Sequence, residues 1–119
     1  MRVKVLDSSR ESVGGTHKVL QDVSMRQIKE HFLAGTYARL IDDIPEELRS
    51  EITQQYLDVV ERVAQVYVTV DMLLITAPDP KKDRKSFSSF AQKFPKYEHY
   101  LYAAADDKLT KEMIVGREF

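Results

Sequence analysis

From Pro45 to about Ala77 the chain runs without an internal proline or glycine, and Leu48, Ile52, Tyr56, Val59, Val63, Val66, Val70 and Leu73 recur at steps of three or four residues. Only an α-helix returns side chains to one face at that interval, so the segment predicts one long amphipathic helix and makes an all-α domain the expected fold. Pro45 suits a first helical position, and Glu46, Glu47 and Glu51 place negative charge at the positive end of the helix dipole. Val66-Tyr67-Val68-Thr69-Val70 is rich in β-branched residues and would suit a strand, but the period of 3.6 and the helical flanks favour the helix. Val68, Met72 and Leu74 widen the apolar stripe, from which burial on most sides of that half is expected.

A chain of 119 residues has room for one core of ordinary size, so the helices are expected to form a single compact domain. Val3 and Val5 alternate with Lys4, and Asp7-Ser8-Ser9-Arg10 and Gly14-Gly15 interrupt the chain after them, so residues 1–23 read as a short strand and a loop. The helical domain is expected over residues 24–119. Ser24 and Gln27 have capping-box spacing and Gly35 suits a terminator, giving a first helix over Met25, Ile28, His31 and Phe32. Tyr37, Leu40 and Ile41 suggest a further turn. After Pro78-Asp79-Pro80, residues 82 to 93 read as a basic amphipathic helix with Phe87, Phe90 and Phe94 on one side. Tyr97, Tyr100, Leu101 and Ala104 give a short helix, Asp106-Asp107 interrupts, and Leu109 to Val115 forms a last turn or two ending at Gly116.

The composition, 43% hydrophobic and 31% charged, is that of a folded soluble chain, and no apolar run approaches the roughly 20 residues of a membrane span. With no apolar leader core after Met1-Arg2-Val3-Lys4 and no cysteine, a cytoplasmic setting is expected. Catalytic patterns are sparse. There is no glycine-rich phosphate loop, and no lysine precedes an Asp-Gly pair in the manner of a nucleotidyltransferase nucleophile. His17, His31 and His99 stand apart from one another and from any ligand motif. The carboxylates between Asp42 and Glu61 read as a solvated helix face, and Glu98 and His99, being adjacent in a helix, point in different directions.

One stretch looks addressed to a partner. Between Pro78 and Pro95, Lys81, Lys82, Arg84, Lys85 and Lys93 crowd around the three phenylalanines, with Lys96 just beyond, in a chain whose formal charge is -1. Phenylalanine at helical spacing is core, whereas clustered cations suit phosphate contacts, and Tyr97, Tyr100 and Tyr102 offer either core packing or stacking faces for unpaired bases.

Asp83-Arg84-Lys85-Ser86-Phe87, then Phe94-Pro95, Tyr100-Leu101-Tyr102-Ala103 and Asp106-Asp107-Lys108, resembles the C-terminal region of RNA ligases related to the tRNA-repairing ligase of T-even phages. Upstream, Thr16-His17-Lys18-Val19-Leu20, Val23-Ser24-Met25-Arg26-Gln27-Ile28 and Ile44-Pro45-Glu46-Glu47-Leu48 look like the stretch that joins the nucleotidyltransferase domain of that family to its helical tail. The resemblance spans residues 16 to 119. At the N-terminus, Arg2-Val3-Lys4 is similar to the family's last nucleotidyltransferase motif, a Lys-x-Lys strand that contacts nucleotide phosphates. Lys4 matches the second lysine, Arg2 stands in place of the first, and Gly14-Gly15 replaces an aromatic and aliphatic pair.

The resemblance implies an RNA-binding and positioning domain of a repair ligase, engaging RNA such as a broken tRNA anticodon loop through Lys81, Lys82, Arg84, Lys85, Lys93 and Lys96. It implies that the catalytic lysine, with the motifs that hold ATP and magnesium, lies upstream of Met1 on a fused or separate nucleotidyltransferase domain, so that this chain carries no cofactor and does not ligate alone. The alternative expectation is a helical protein-interaction or dimerisation module without nucleic-acid binding, and exposure of the apolar residues between Val66 and Leu74 would favour it.

Overall fold

A computed structural model describes residues 13–119, with side chains from Ser24 onward, and these residues are all-α. Six helices follow one another: α1 (Val13–Ala34), α2 (Tyr37–Asp42), α3 (Glu46–Thr76), α4 (Arg84–Gln92), α5 (Glu98–Ala105) and α6 (Lys111–Glu118). The long helix expected from the apolar period is α3, of 31 residues. The strand expected at Val3 and Val5, together with Lys4, lies outside the described residues. Residues 13–23 are helical and not a loop, because α1 begins at Val13 and takes Gly14 and Gly15 into its first turn. Glycine costs at most about 1 kcal/mol per residue relative to alanine in a helix, a penalty that a helix of this length can absorb in its first turn. Ser24 is consequently a buried mid-helix residue and not an N-cap.

Tertiary contacts group the chain into two compact units, one ending at Val59 and the other covering Val60–Phe119, with α3 contributing its first part to one and its second part to the other. In the first unit α1 ends at Gly35, whose φ of +72 is the left-handed conformation that glycine adopts without a Cβ penalty. The Gly35 amide donates to Phe32 O at 3.3 Å and the Thr36 amide to His31 O at 2.9 Å, the paired bonds of a Schellman stop. The chain turns directly into α2. Tyr37 stacks on Tyr56 of α3 with ring centroids 3.9 Å apart, Phe32 meets Tyr56 edge-on at 6.1 Å, and Ile28, Leu40, Ile44, Ile52 and Val59 are buried.

In the second unit the buried residues are Val63, Val66 and Val70 of α3, Phe87 and Ala91 of α4, Tyr100 and Leu101 of α5, and Ile114 and Val115 of α6. Phe87 contacts Tyr102 edge-on at 5.9 Å, joining α4 to α5. Helix α5 stops in a second Schellman turn: Asp107 sits at φ 58, its amide donates to Ala104 O at 3.1 Å, and the Lys108 amide donates to Ala103 O at 2.7 Å. Thr110 caps α6 by accepting from the Met113 amide at 3.2 Å. Gly116 does not terminate α6. It lies within the helix without a positive φ, and the chain continues helically to Glu118.

The expectation that the later half of α3 is buried on most sides is overturned. Val68 is 56% exposed, Met72 64% and Ile75 81%. At 100° per residue these three stand opposite Val63, Val66 and Val70, so the face that enters the core turns them outward. No described helix is long and apolar enough to cross a membrane.

Candidate nucleic-acid interface

The basic segment is organised by two aspartates. Asp79 accepts from the Lys81 amide through Oδ1 at 2.9 Å, and its carbonyl accepts from the Lys82 amide at 3.2 Å and the Asp83 amide at 2.9 Å. This is an Asx-type turn of the kind a short carboxylate side chain stabilises. Asp83 then caps α4, accepting from the Ser86 hydroxyl at 2.7 Å and the Ser86 amide at 3.1 Å. Those bonds, the hydroxyl first, favour the charged form and hold the Asp83 carboxyl below its ordinary value. With Asp83 in this position, the α4 amides are already supplied with an anion, and the cationic side chains are left as the anion-attracting groups.

Lys81, Lys82, Lys85, Lys93 and Lys96 are all exposed. Lys81 and Lys82 occupy the turn before α4, Lys85 its first turn and Lys93 its C-cap. By helical position Lys85 and Lys93 share the solvent side opposite buried Phe87 and Ala91, about two turns apart. No ion pair involves Lys81, Lys82, Lys85 or Lys93 among the described residues.

Arg84 is engaged differently. Its guanidinium pairs with Asp106, the C-cap of α5, at 3.3 Å and lies 5.9 Å from the Phe87 ring centre and 5.6 Å from that of Tyr102. It bridges α4 to the end of α5 over two rings in a half-exposed pair, which offsets part of its charge. Lys96 also stands apart from the α4 lysines. It lies 6.0 Å from the Tyr97 ring centre and lines a polar cavity of about 240 Å³ with Arg62, Gln65, Val66, Tyr97 and Glu118. Arg62 enters this cavity from α3, 4.0 Å from Glu118, and no local sequence signal linked it to Lys96.

The aromatic residues divide. Phe87 and Tyr100 are core, whereas Phe90, Phe94, Tyr97 and Tyr102 are partly exposed. The Tyr100 hydroxyl donates to Glu118 Oε2 at 2.7 Å, and burial, reinforced by that bond and the carboxylate charge, pushes its phenol up to about 12. Tyr97 and Tyr102 retain accessible surface beside cations, while Tyr100 has none to offer a base. Among the described residues no group of three or more His, Asp or Glu side chains is arranged to hold a metal ion. Comparison of the chain with protein families, with curated proteins and with solved structures finds no match.

Proposed function

We propose that this chain binds and positions RNA for a repair reaction whose bond-making step belongs to a nucleotidyltransferase domain, fused or separate, that carries ATP and magnesium. The observation that carries the reading is the set of four exposed lysines, Lys81, Lys82, Lys85 and Lys93, without ion pairs among the described residues and held on a capped helix and its preceding turn. From Asp79 to Lys96 there are six cations against two carboxylates, a local charge of +4 in a chain of net charge -1. Such a field attracts a polyanion despite the overall balance. Lysines act as point charges on phosphates and release counterions, giving sequence-tolerant and salt-sensitive affinity. Partly exposed Tyr97 and Tyr102 add faces on which unpaired bases can stack. RNA with a broken or unpaired loop, such as a nicked tRNA anticodon stem-loop, presents both groups together.

The test is fluorescence anisotropy with a nicked anticodon stem-loop, and with duplex DNA as control, across a salt series. The expected result is RNA-selective binding whose slope of log affinity against log salt becomes shallower by about 0.7 for each phosphate no longer neutralised when Lys81, Lys82, Lys85 and Lys93 are changed to alanine. An unchanged slope in that quadruple variant overturns the assignment. Arg84 is left intact in this variant because its pairing with Asp106 would confound binding with folding.

A further inference from the structure

RNA contact by α4 and its turn leaves the outward face of α3 without an explanation. Ala64, Val68, Met72 and Ile75 form an exposed apolar stripe of about three turns directly opposite the core-facing valines. Beside it runs a shallow depression lined by Glu61, Ala64, Gln65, Val68 and Thr69. Isolated exposed apolar residues are ordinary, but a contiguous stripe with valine, methionine and isoleucine in register is the mark of a covered surface.

The charges on this face say what covers it. Glu61 stands at one end of the stripe and Asp71 flanks the other. Both are exposed, and neither makes an ion pair among the described residues. Among the described residues α3 contributes no lysine or arginine to this face, since Arg62, its one cation within this unit, is turned toward Glu118 and the ring of Phe119. In a symmetric dimer the same face of a second copy would bring the same acidic groups to the interface with nothing on that face to neutralise them. An anionic lipid surface would meet the same repulsion, because interfacial helices favour membranes with basic polar faces.

We infer that the outward face of α3 between Glu61 and Ile75 docks an amphipathic helix of a protein partner, a helix whose apolar i, i+3, i+4 and i+7 positions seat on Val68, Met72 and Ile75 and whose edges carry lysine or arginine opposite Glu61 and Asp71. Apolar contact supplies the affinity, and the two carboxylates select a partner with basic edges. Methionine at the centre, being flexible, accommodates more than one apolar shape.

The full chain is titrated with a synthetic amphipathic peptide of about 16 residues carrying leucine on one face and lysine at its edges, and with its counterpart carrying glutamate edges. Binding is followed by methyl NMR of Val68, Met72 and Ile75. The expected result is saturable shifts at these three residues with the lysine-edged peptide and about tenfold weaker binding by the other, a preference that E61K together with D71K reverses. V68S, M72S and I75S combined remove the reporter methyls, so this variant is read by anisotropy of the fluorophore-labelled lysine-edged peptide: binding is lost while the thermal transition stays in place, because none of the three is core. Equal binding of both peptides overturns the inference, as do shifts confined to another face. Concentration-dependent self-association in sedimentation that protects the same methyls replaces the proposed occupant with a second copy and overturns it as well. RNA binding is measured on the serine variant, so that failure here is separable from failure of the RNA assignment.

Discussion

Tyr100→Phe removes one oxygen from the second unit, and its consequence can be worked out as a function of pH. The ring is 2% exposed, and its hydroxyl donates to Glu118 Oε2 at 2.7 Å, tying α5 to the end of α6. A hydrogen bond to a charged group contributes about 1.5 to 3 kcal/mol. The Glu118 side chain keeps 20% exposure and has Arg62 at 4.0 Å, so the variant does not strand it. The lower figure, about 1.5 kcal/mol at pH 8, is therefore expected. Burial first, and then Glu118, raise the phenol from 10.0 to about 12. Between those values the unfolded phenol has lost its proton while the folded one retains it, so the unfolded state binds fewer protons and stability falls as pH rises. The contribution is complete below the unfolded value and declines by about 1.4 kcal/mol for each pH unit above it. Urea unfolding followed by circular dichroism from about pH 8 to about pH 11 should show the wild-type protein more stable than Tyr100→Phe at the lower end and the two converging at the upper end. Tyrosines and lysines common to both proteins titrate equally and leave the difference unaffected. A difference that stays constant across the range would refute the assignment of the raised phenol to Tyr100, and no difference at pH 8 would refute the hydrogen bond's contribution.

Three further outcomes rest on the same packing. Phe87→Ala, at a fully buried ring in contact with Tyr102, should cost about 3 to 5 kcal/mol in urea unfolding, and a loss below about 1 kcal/mol would show that α4 is not seated on its neighbours. Gly35→Ala meets nothing within 4 Å of its new Cβ, so its cost, about 1 to 2 kcal/mol, comes from the left-handed backbone alone and should be smaller for Gly35→Asn. Asp107→Gly relieves a non-glycine residue at φ 58 and removes a carboxylate from the negative end of α5, and should raise the thermal midpoint through a gain of about 0.5 kcal/mol.

The readable parts of this fold were those governed by local stereochemistry. A glycine after a helical period and a proline before one gave the end of α1 and the start of α3 to within about two residues. The acidic pair Asp106-Asp107 marked a turn because short carboxylate side chains tolerate left-handed backbone. The misread parts depended on context. Ser24-x-x-Gln27 has the grammar of a cap, yet nothing in four residues reveals that the chain before them is already helical. Gly116 carries the composition of a stop and lacks the positive φ that would make it one. At the candidate site, exposure of the lysines followed from their charge, whereas the pairing of Arg84 with Asp106 spans 22 residues and had no local signal. The apolar character of Val68, Met72 and Ile75 was plain in the sequence. Their exposure was not, because periodicity identifies faces without saying which of two apolar faces is buried.

The Asp83-to-Phe87 element opens the proposed RNA-contacting segment, and most of its residues also have a structural task. Asp83 and Ser86 form the cap, Phe87 fills the core, and Arg84 straps α4 to the end of α5 through Asp106. All four serve the packing or capping of α4, so altering any of them confounds RNA affinity with stability. Lys85 is the exception. It is exposed in the first turn of α4 and makes no ion pair or ring contact among the described residues, and a lysine there is also electrostatically disfavoured by the helix dipole. Lys85→Glu should therefore leave stability unchanged or slightly raised while weakening RNA binding at low salt by more than Lys85→Ala does. Equal RNA affinity of wild type, Lys85→Ala and Lys85→Glu would leave the element with structural tasks only, and the case for phosphate contact at the start of α4 would fall with it.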